Sequence, residues 1–301
     1  MARRVRKNKK QGKKRVSLFN VILVLIMLTG LGIIGYPSFA DWWNNFHQSR
    51  AIAGYMEQVA QMDPETFDRM WKEAEAYNES LLHKSNRFSL SEAEKKEYNS
   101  ILNVTGNGIM GYIDIPKIDV SLPVYHGTDE SVLQTAIGHI EGTSLPVGGI
   151  GNHSAVSGHR GLPSAKLFTN IDQMKEGDRF LLQILDRTLT YEVDQVKVVL
   201  PDELKDLDFD KEKDLSTLIT CTPYGVNTHR LLVRGHRVET DSLDLHFTAE
   251  AMRLEQVLAA PMLASPFLLL MLLVLLGSTG GKNGNNRKKK SKRKTKSTGI
   301  A

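Results

Sequence analysis

Two apolar runs of about 20 residues, one near each end of the 301-residue chain, constrain every fold it can adopt. SLFNVILVLIMLTGLGIIGY follows MARRVRKNKKQGKKRV, which holds nine Lys or Arg and no acid. VLAAPMLASPFLLLMLLVLLG precedes KNGNNRKKKSKRKTK, which holds nine more basic residues. A helix of about 20 apolar residues reaches across a bilayer core, and basic flanks stay on the cytoplasmic side. The expected topology is a cytoplasmic tail (1–16), a transmembrane helix or uncleaved signal anchor (17–40), an external region, a linker (241–256), a second transmembrane helix (257–277) and a second cytoplasmic tail (278–301). Ser38-Phe39-Ala40 also suits a secretory cleavage site. The length of the run favours the anchor, and the middle of the chain is external under both readings.

Removing the tails reverses the charge. The whole chain is +5, but residues 41–252 carry 20 Lys or Arg against 33 Asp or Glu, a net of −13. An acidic external region is a poor partner for nucleic acid, and the basic tails read as stop signals that touch anionic lipid. Cys221 is the only cysteine. An external domain without disulfide staples fits a Gram-positive cell surface better than a eukaryotic secretory route.

Residues 41–107 read as a helical extension. Asp63-Pro64 has the form of an N-cap followed by proline in the first turn, and Phe67, Met70, Trp71, Ala74, Tyr77 and Leu81 recur at steps of three and four, which is one buried helix face. Ser89-Leu90-Ser91-Glu92 fits a capping box before a shorter helix. Between them, HKSNRF (83–88) is a polar linker that ends in an aromatic ring. From 108 to 240 the pattern changes to short apolar runs separated by turn residues. GIMGYIDIPKIDVSLPVYHG alternates apolar and polar residues, and RFLLQIL, LTYEVDQVKVVL, LSTLITCT and HRLLVRGHRV read as four more strands. Helical turns are expected at 130–137, 164–170 and 201–207. Many short strands at this spacing predict a mainly β fold, a closed barrel or a sandwich.

The chemistry centres on Cys221, which ends the strand LSTLIT. A lone cysteine is either a small buried hydrophobe or a reactive thiol. Nine residues on, Arg230 opens the next strand, so a loop that returns the chain would set the two side by side. A guanidinium there can hold an oxyanion or a peptide carbonyl; Arg234 and Arg237 meet the same description. A free thiol, with a pKa near 8.5, is a slow nucleophile at neutral pH and needs a partner. His159, in a glycine-flanked turn after the short strand SAVS, has the best context. Spacing alone leaves His126, His139, His153, His229 and His236 open, while His47 and His83 belong to the helical extension. No Cys or His pair has structural zinc spacing, and the acidic stretch from Asp202 to Asp214 lacks the order of an EF-hand loop.

TLITC, a loop, an arginine opening a strand and an upstream SGHRG together resemble the sortases, membrane-anchored cysteine transpeptidases of Gram-positive bacteria. CTPYGVNTHRLLVRG, GIMGYIDIPKI, the helical extension and a second apolar run behind the domain look like class C, the pilus-assembling branch. The resemblance runs from Ile52 to Leu276. It implies an eight-stranded sortase-type closed β-barrel with short helices, and no cofactor. It also implies that Cys221 attacks the Thr-Gly bond of an LPXTG-like sorting signal to form a thioacyl enzyme. His159 would exchange protons with the leaving and incoming amines, and Arg230 would position substrate or stabilise the oxyanion. The acceptor would be a pilin lysine amine, or a peptidoglycan precursor amine if the enzyme anchors surface proteins instead. Class C members often carry an Asp-Pro-aromatic lid ahead of the barrel. Asn86-Arg87-Phe88 stands at that place, so the aromatic Phe88 is a possible lid while the acid is missing. The rival from another class is a two-pass surface protein that binds peptide or wall polymer without chemistry, in which Cys221 would be structural.

Overall fold

The computed structural model describes residues 18–241; the second apolar run and both basic tails lie outside them. The chain opens with α1 (Leu18–Ala60), α2 (Pro64–Leu82) and α3 (Glu92–Ser100). α2 starts as its sequence directs: Asp63 accepts a hydrogen bond from Thr66 N at 2.9 Å, and Pro64 occupies the first turn. Met70, Trp71, Ala74, Tyr77 and Leu81 form its buried face. α3 carries a full capping box two residues later than the Ser89-to-Glu92 spacing suggests, with Ser91 as the N-cap and Glu94 bonding to it reciprocally. Among the described residues no helix is long and apolar enough to cross a membrane. The apolar run nevertheless forms the first part of α1, where Leu18, Ile22, Leu25, Ile26, Ile33 and Ile34 are exposed.

Eight strands follow: β1 (Ile109–Ile115), β2 (Val120–His126), β3 (Ile137–His139), β4 (His153–Ser157), β5 (Arg179–Ile184), β6 (Arg187–Val199), β7 (Leu215–Thr222) and β8 (His229–Val238). They close into a barrel in the order β1-β2-β3-β4-β7-β8-β6-β5. β2 with β3 and β4 with β7 are the parallel pairs; the other neighbours are antiparallel. Closure removes the free edges that an open sheet of short strands would expose. Inside lies one core, to which β7 and β8 contribute Leu218, Leu231 and Val233 and the extension contributes Trp71, Tyr77 and Tyr98. The extension is therefore built into the barrel's core. Asn78 on α2, fully buried, makes two hydrogen bonds with the backbone of Leu145, from its Nδ2 to the carbonyl at 3.1 Å and to its Oδ1 from the N–H at 2.6 Å.

The expected helical turn at 164–170 is confined to its second half, where Thr169 N donates to Lys166 O at 2.8 Å, and it leads into a 3-10 turn at Ile171–Gln173. Two groups that such a turn would use are committed to α1: Lys166 N donates to Asp41 Oδ1 at 3.0 Å, and Ser164 O accepts from Asn44 Nδ2 at 2.9 Å. The other two expected turns are shorter than predicted, α4 (Glu130–Leu133) and a 3-10 turn at Lys205–Leu207. β3, three residues long, is too short to show an alternation and was not foreseen.

Candidate active site

β7 and β8 are paired without a register shift from Leu215 to Thr222, and in that ladder Cys221 stands directly opposite Arg230. Because side chains alternate along a strand, Ile219 shares a face with Cys221, and Leu232 shares a face with Arg230. Their neighbours Leu218 and Leu231 fill the barrel interior. Ile219 and Leu232 instead pack with Ala155, Val199 and Leu207 in a separate cluster. The cysteine and the arginine thus belong to the barrel's outer face, at one end of an apolar floor. Both are half-buried.

β4 runs parallel to β7, so the two strands finish at the same end of the barrel. Their pairing extends one residue past β4: Gly158 N donates to Ile219 O at 3.0 Å, and Thr220 Oγ1 donates to Gly158 O at 2.7 Å. The next residue is His159. Three elements therefore deliver His159, Cys221 and Arg230 to one end of the barrel, and the three residues singled out in the sequence share that end. The carboxylate of Glu130, from α4, lies 3.6 Å from His159 Nε2. That nitrogen is buried and makes no hydrogen bond among the described residues.

Three of the other histidines are buried and bonded elsewhere. His126 contacts the carbonyls of Gly108 and Ile101. His139, fully buried, contacts Tyr98 OH and Ser144 O. His153 contacts Asp208 O and Thr217 Oγ1. Burial pushes the imidazoles of all three down, that of His139 to about 3. His229 stands opposite Thr222, next to the Cys221–Arg230 pair, with its Nδ1 2.9 Å from Thr228 Oγ1, and His236 stands opposite Leu215 at the far end of the ladder. Arg234 is committed to Asp194 through two bonds of 2.9 and 3.1 Å, and Arg237 lies over the ring of Tyr191. Arg230 differs: its Nη1 donates only to the carbonyls of Asn227 and His229, and it has no carboxylate partner among the described residues. A guanidinium has five N–H donors, so most of those of Arg230 are free for a ligand.

Two further arginines support this end. Arg160, beside His159, bonds to Asp172 and, at 3.4 Å, to Thr222 Oγ1, and it lies 5.8 Å from the ring centre of Tyr224. It joins the turn that carries the histidine to the loop that follows the cysteine. Gly161 has φ +76°, and a Cβ there would meet the Tyr224 ring at 2.9 Å, so the two segments can touch only because it is glycine. Arg87 fastens the linker. It donates to Leu207 O at 3.0 Å and to Asp208 Oδ1 at 3.1 Å, and it lies 4.5 and 4.1 Å from the ring centres of Phe88 and Phe209. Phe88 packs against the cluster of Ala155, Val199, Leu207, Ile219 and Leu232 that forms this floor. Gly142, φ +86°, sits under this segment, where an added Cβ would collide with the Arg87 carbonyl. Neither Arg87 nor Arg160 was singled out from sequence, although both stand inside stretches that were, SNRF and SGHRG.

No group of three or more acidic, histidine or cysteine side chains that could hold a metal occurs among the described residues. In the stretch from Asp202 to Asp214, Asp214 is buried and accepts from Gly149 N and Tyr191 OH, and Asp206 pairs with Lys197.

Residues 113–238 match the family model described as Sortase domain. The chain is 52% identical to sortase C1 from Streptococcus agalactiae, covering 64% of this chain and 100% of that one, with a TM-score of 0.62. It is 41% identical to sortase C of Streptococcus pneumoniae, over 64% of this chain and 97% of that one, with a TM-score of 0.58. It is also 26% identical over 223 residues to sortase A of Bacillus anthracis, which is 74% of this chain and 96% of the relative. With this barrel, this order of strands and these matches, the chain belongs to the sortase family of cysteine transpeptidases and is similar to its class C members.

Proposed function

We propose that this protein is a pilin-polymerising transpeptidase anchored in the cell membrane by its two apolar runs, with the barrel outside and both tails in the cytoplasm. The observation that carries the reading is the pairing of Cys221 with Arg230 at the end of the floor that Phe88 covers. In the first step the Cys221 thiolate attacks the threonine carbonyl carbon of an LPXTG-like sorting signal. The donors that Arg230 leaves free suit the oxyanion that forms. His159 gives a proton to the departing glycine amine as the C–N bond breaks, leaving a thioester on Cys221. That thioester keeps acyl-transfer potential for the second step. A lysine amine of another pilin then attacks the same carbonyl, His159 takes its proton, and the thiolate departs. The product is an isopeptide bond.

Support for the pilin acceptor comes from the similarity to sortase C of Streptococcus pneumoniae, whose description concerns pilin substrate specificity. The second reading, anchoring of surface proteins to a peptidoglycan precursor amine, rests on the likeness to enzymes named sortase A. The full chain in vesicles, given a sorting-signal substrate together with a pilin and a wall-precursor amine, separates them. Isopeptide-linked pilin multimers that vanish when the acceptor lysines are changed to arginine support polymerisation. Exclusive transfer to the wall amine would overturn it.

A further inference from the structure

Beyond the apolar run, α1 has two differently equipped faces. Asp41, Asn44, Gln48, Ile52 and Tyr55, spaced at three or four residues, hold the barrel. Gln48 Nε2 donates to Thr135 O at 2.5 Å, Tyr55 OH donates to Met110 O at 3.2 Å, and Ile52 and Tyr55 are buried against Ile109 and Tyr112. Phe39, Trp42, Trp43 and Phe46 follow the same spacing on the other side; at about 100° per residue the two sets are centred roughly half a turn apart. These rings touch one another, with centroids 5.9 Å apart for Phe39 and Trp42 and 6.1 Å for Trp42 and Phe46, and the Arg50 guanidinium lies 5.7 Å from the Phe46 ring centre. Phe39, Trp43 and Phe46 are 52%, 50% and 42% exposed.

An exposed aromatic stripe of this kind marks an interaction surface. Its position selects the partner. It follows directly on the exposed apolar residues of α1, it holds two of the chain's three tryptophans, and it ends in an arginine. Tryptophan rings concentrate at the headgroup level of a bilayer, where one side is apolar and the other wet.

The opposite face of the same turns carries the link to the active site. Asp41 and Asn44, within about 3 Å along the axis of Trp42 and Trp43, bond to Lys166 and Ser164. Those residues lie in the segment that starts at His159 and is closed by the bond from Phe168 N to His159 O. We propose that the stripe from Phe39 to Phe46 lies in the lipid headgroup layer and, through Asp41 and Asn44, holds the His159 segment at that height, so that the catalytic end of the barrel works against the membrane surface. The inference rests on the membrane-anchored reading given under Proposed function.

The test uses the full chain reconstituted in phosphatidylcholine and phosphatidylglycerol vesicles with bromine at either shallow or deep acyl positions, read by tryptophan emission. Trp71, 5% exposed, supplies an internal background. Co-flotation with quenching at least twofold stronger by shallow than by deep bromine is the expected result, and the quenching disappears in the Trp42→Phe, Trp43→Phe double variant. Co-flotation without quenching, with quenching that is stronger from deep bromine, or with quenching that persists in the double variant overturns the proposal while leaving the anchor intact. Failure to co-float refutes the anchor, and the proposal with it.

Discussion

Cys221 and Arg230 face each other as the last-but-one pair of the β7–β8 ladder, and Arg230 has no acidic partner among the described residues. The arginine is therefore available to a ligand at the thiol. Replacing Arg230 with alanine should lower kcat/KM by about 10²–10³, the usual effect of removing one oxyanion donor. Lysine should not restore it, because an ammonium lacks the planar fork. Steady-state kinetics with a sorting-signal peptide check this, and a change of less than threefold in either variant would remove Arg230 from the mechanism.

Arg160 should act on rate through position. Arg160→Ala frees the His159 turn from Thr222, Asp172 and Tyr224. Since a misplacement of about 1 Å can slow catalysis as much as 100-fold, kcat should fall at least tenfold with little change in KM. An unchanged kcat would make the contacts merely structural.

The linker should open more readily without its arginine. Arg87→Ala removes bonds to Leu207 and Asp208 and the contacts with Phe88 and Phe209. Hydrogen bonds from a charged group contribute about 1.5–3 kcal/mol, so the open form should become roughly tenfold more populated or more. Alkylation of Cys221 by iodoacetamide measures this directly: it should speed up in Arg87→Ala and in Phe88→Ala. Equal rates in all three proteins would show that the segment does not guard the thiol.

Acid should loosen the fold through its buried histidines. The neutral His139 ring is held by Tyr98 and Ser144, and burial puts its pKa at about 3, below the value of about 6.5 in the unfolded chain. The unfolded chain therefore binds the proton first. Stability is complete above about pH 6.5 and falls on acidification toward 3 by about 1.4 kcal/mol per pH unit for this group. His126 and His153 shift in the same direction. Urea unfolding at pH 7.5 and 5.5 should show this loss, and His139→Gln should reduce the slope; an unaltered slope would contradict the assignment.

Asn78 tests whether the extension is part of the domain. Asn78→Leu leaves the N–H and carbonyl of buried Leu145 without those partners, at about 1–3 kcal/mol for each group. Together that is about 2–6 kcal/mol, so Tm should fall by roughly 4–24 °C, at 2–4 °C per kcal/mol for a domain of this size. A shift under 1 °C would mean that α2 adds nothing to the barrel.

Local signals were the legible part of the sequence. The cap at Asp63, the existence of a capped helix after Ser89 (though its cap is Ser91, two residues on), the buried face of α2, and the strands around Cys221 and Arg230 each follow from residues close together in the chain. What sequence could not give depends on distant pairing. β3 gains its identity only from β2 and β4, and the turn expected at 164–170 loses its first half because α1, more than 100 residues earlier, bonds the backbone there. The same holds for the site: Cys221 and Arg230 are linked by one loop, whereas the approach of His159 rests on the parallel pairing of β4 with β7. Arg87 reads as an ordinary linker cation until Asp208 and Phe209, over 100 residues on, come to meet it.

The central claim is that Cys221 is the nucleophile. The most direct measurement is the intact mass of the full chain after incubation with an LPXTG-type peptide, with wild type and Cys221→Ala side by side and Phe88→Ala included to keep the groove open. The account predicts a thioacyl adduct on wild type and Phe88→Ala and none on Cys221→Ala. An adduct on Cys221→Ala, or none on Phe88→Ala across several sorting motifs, would contradict it.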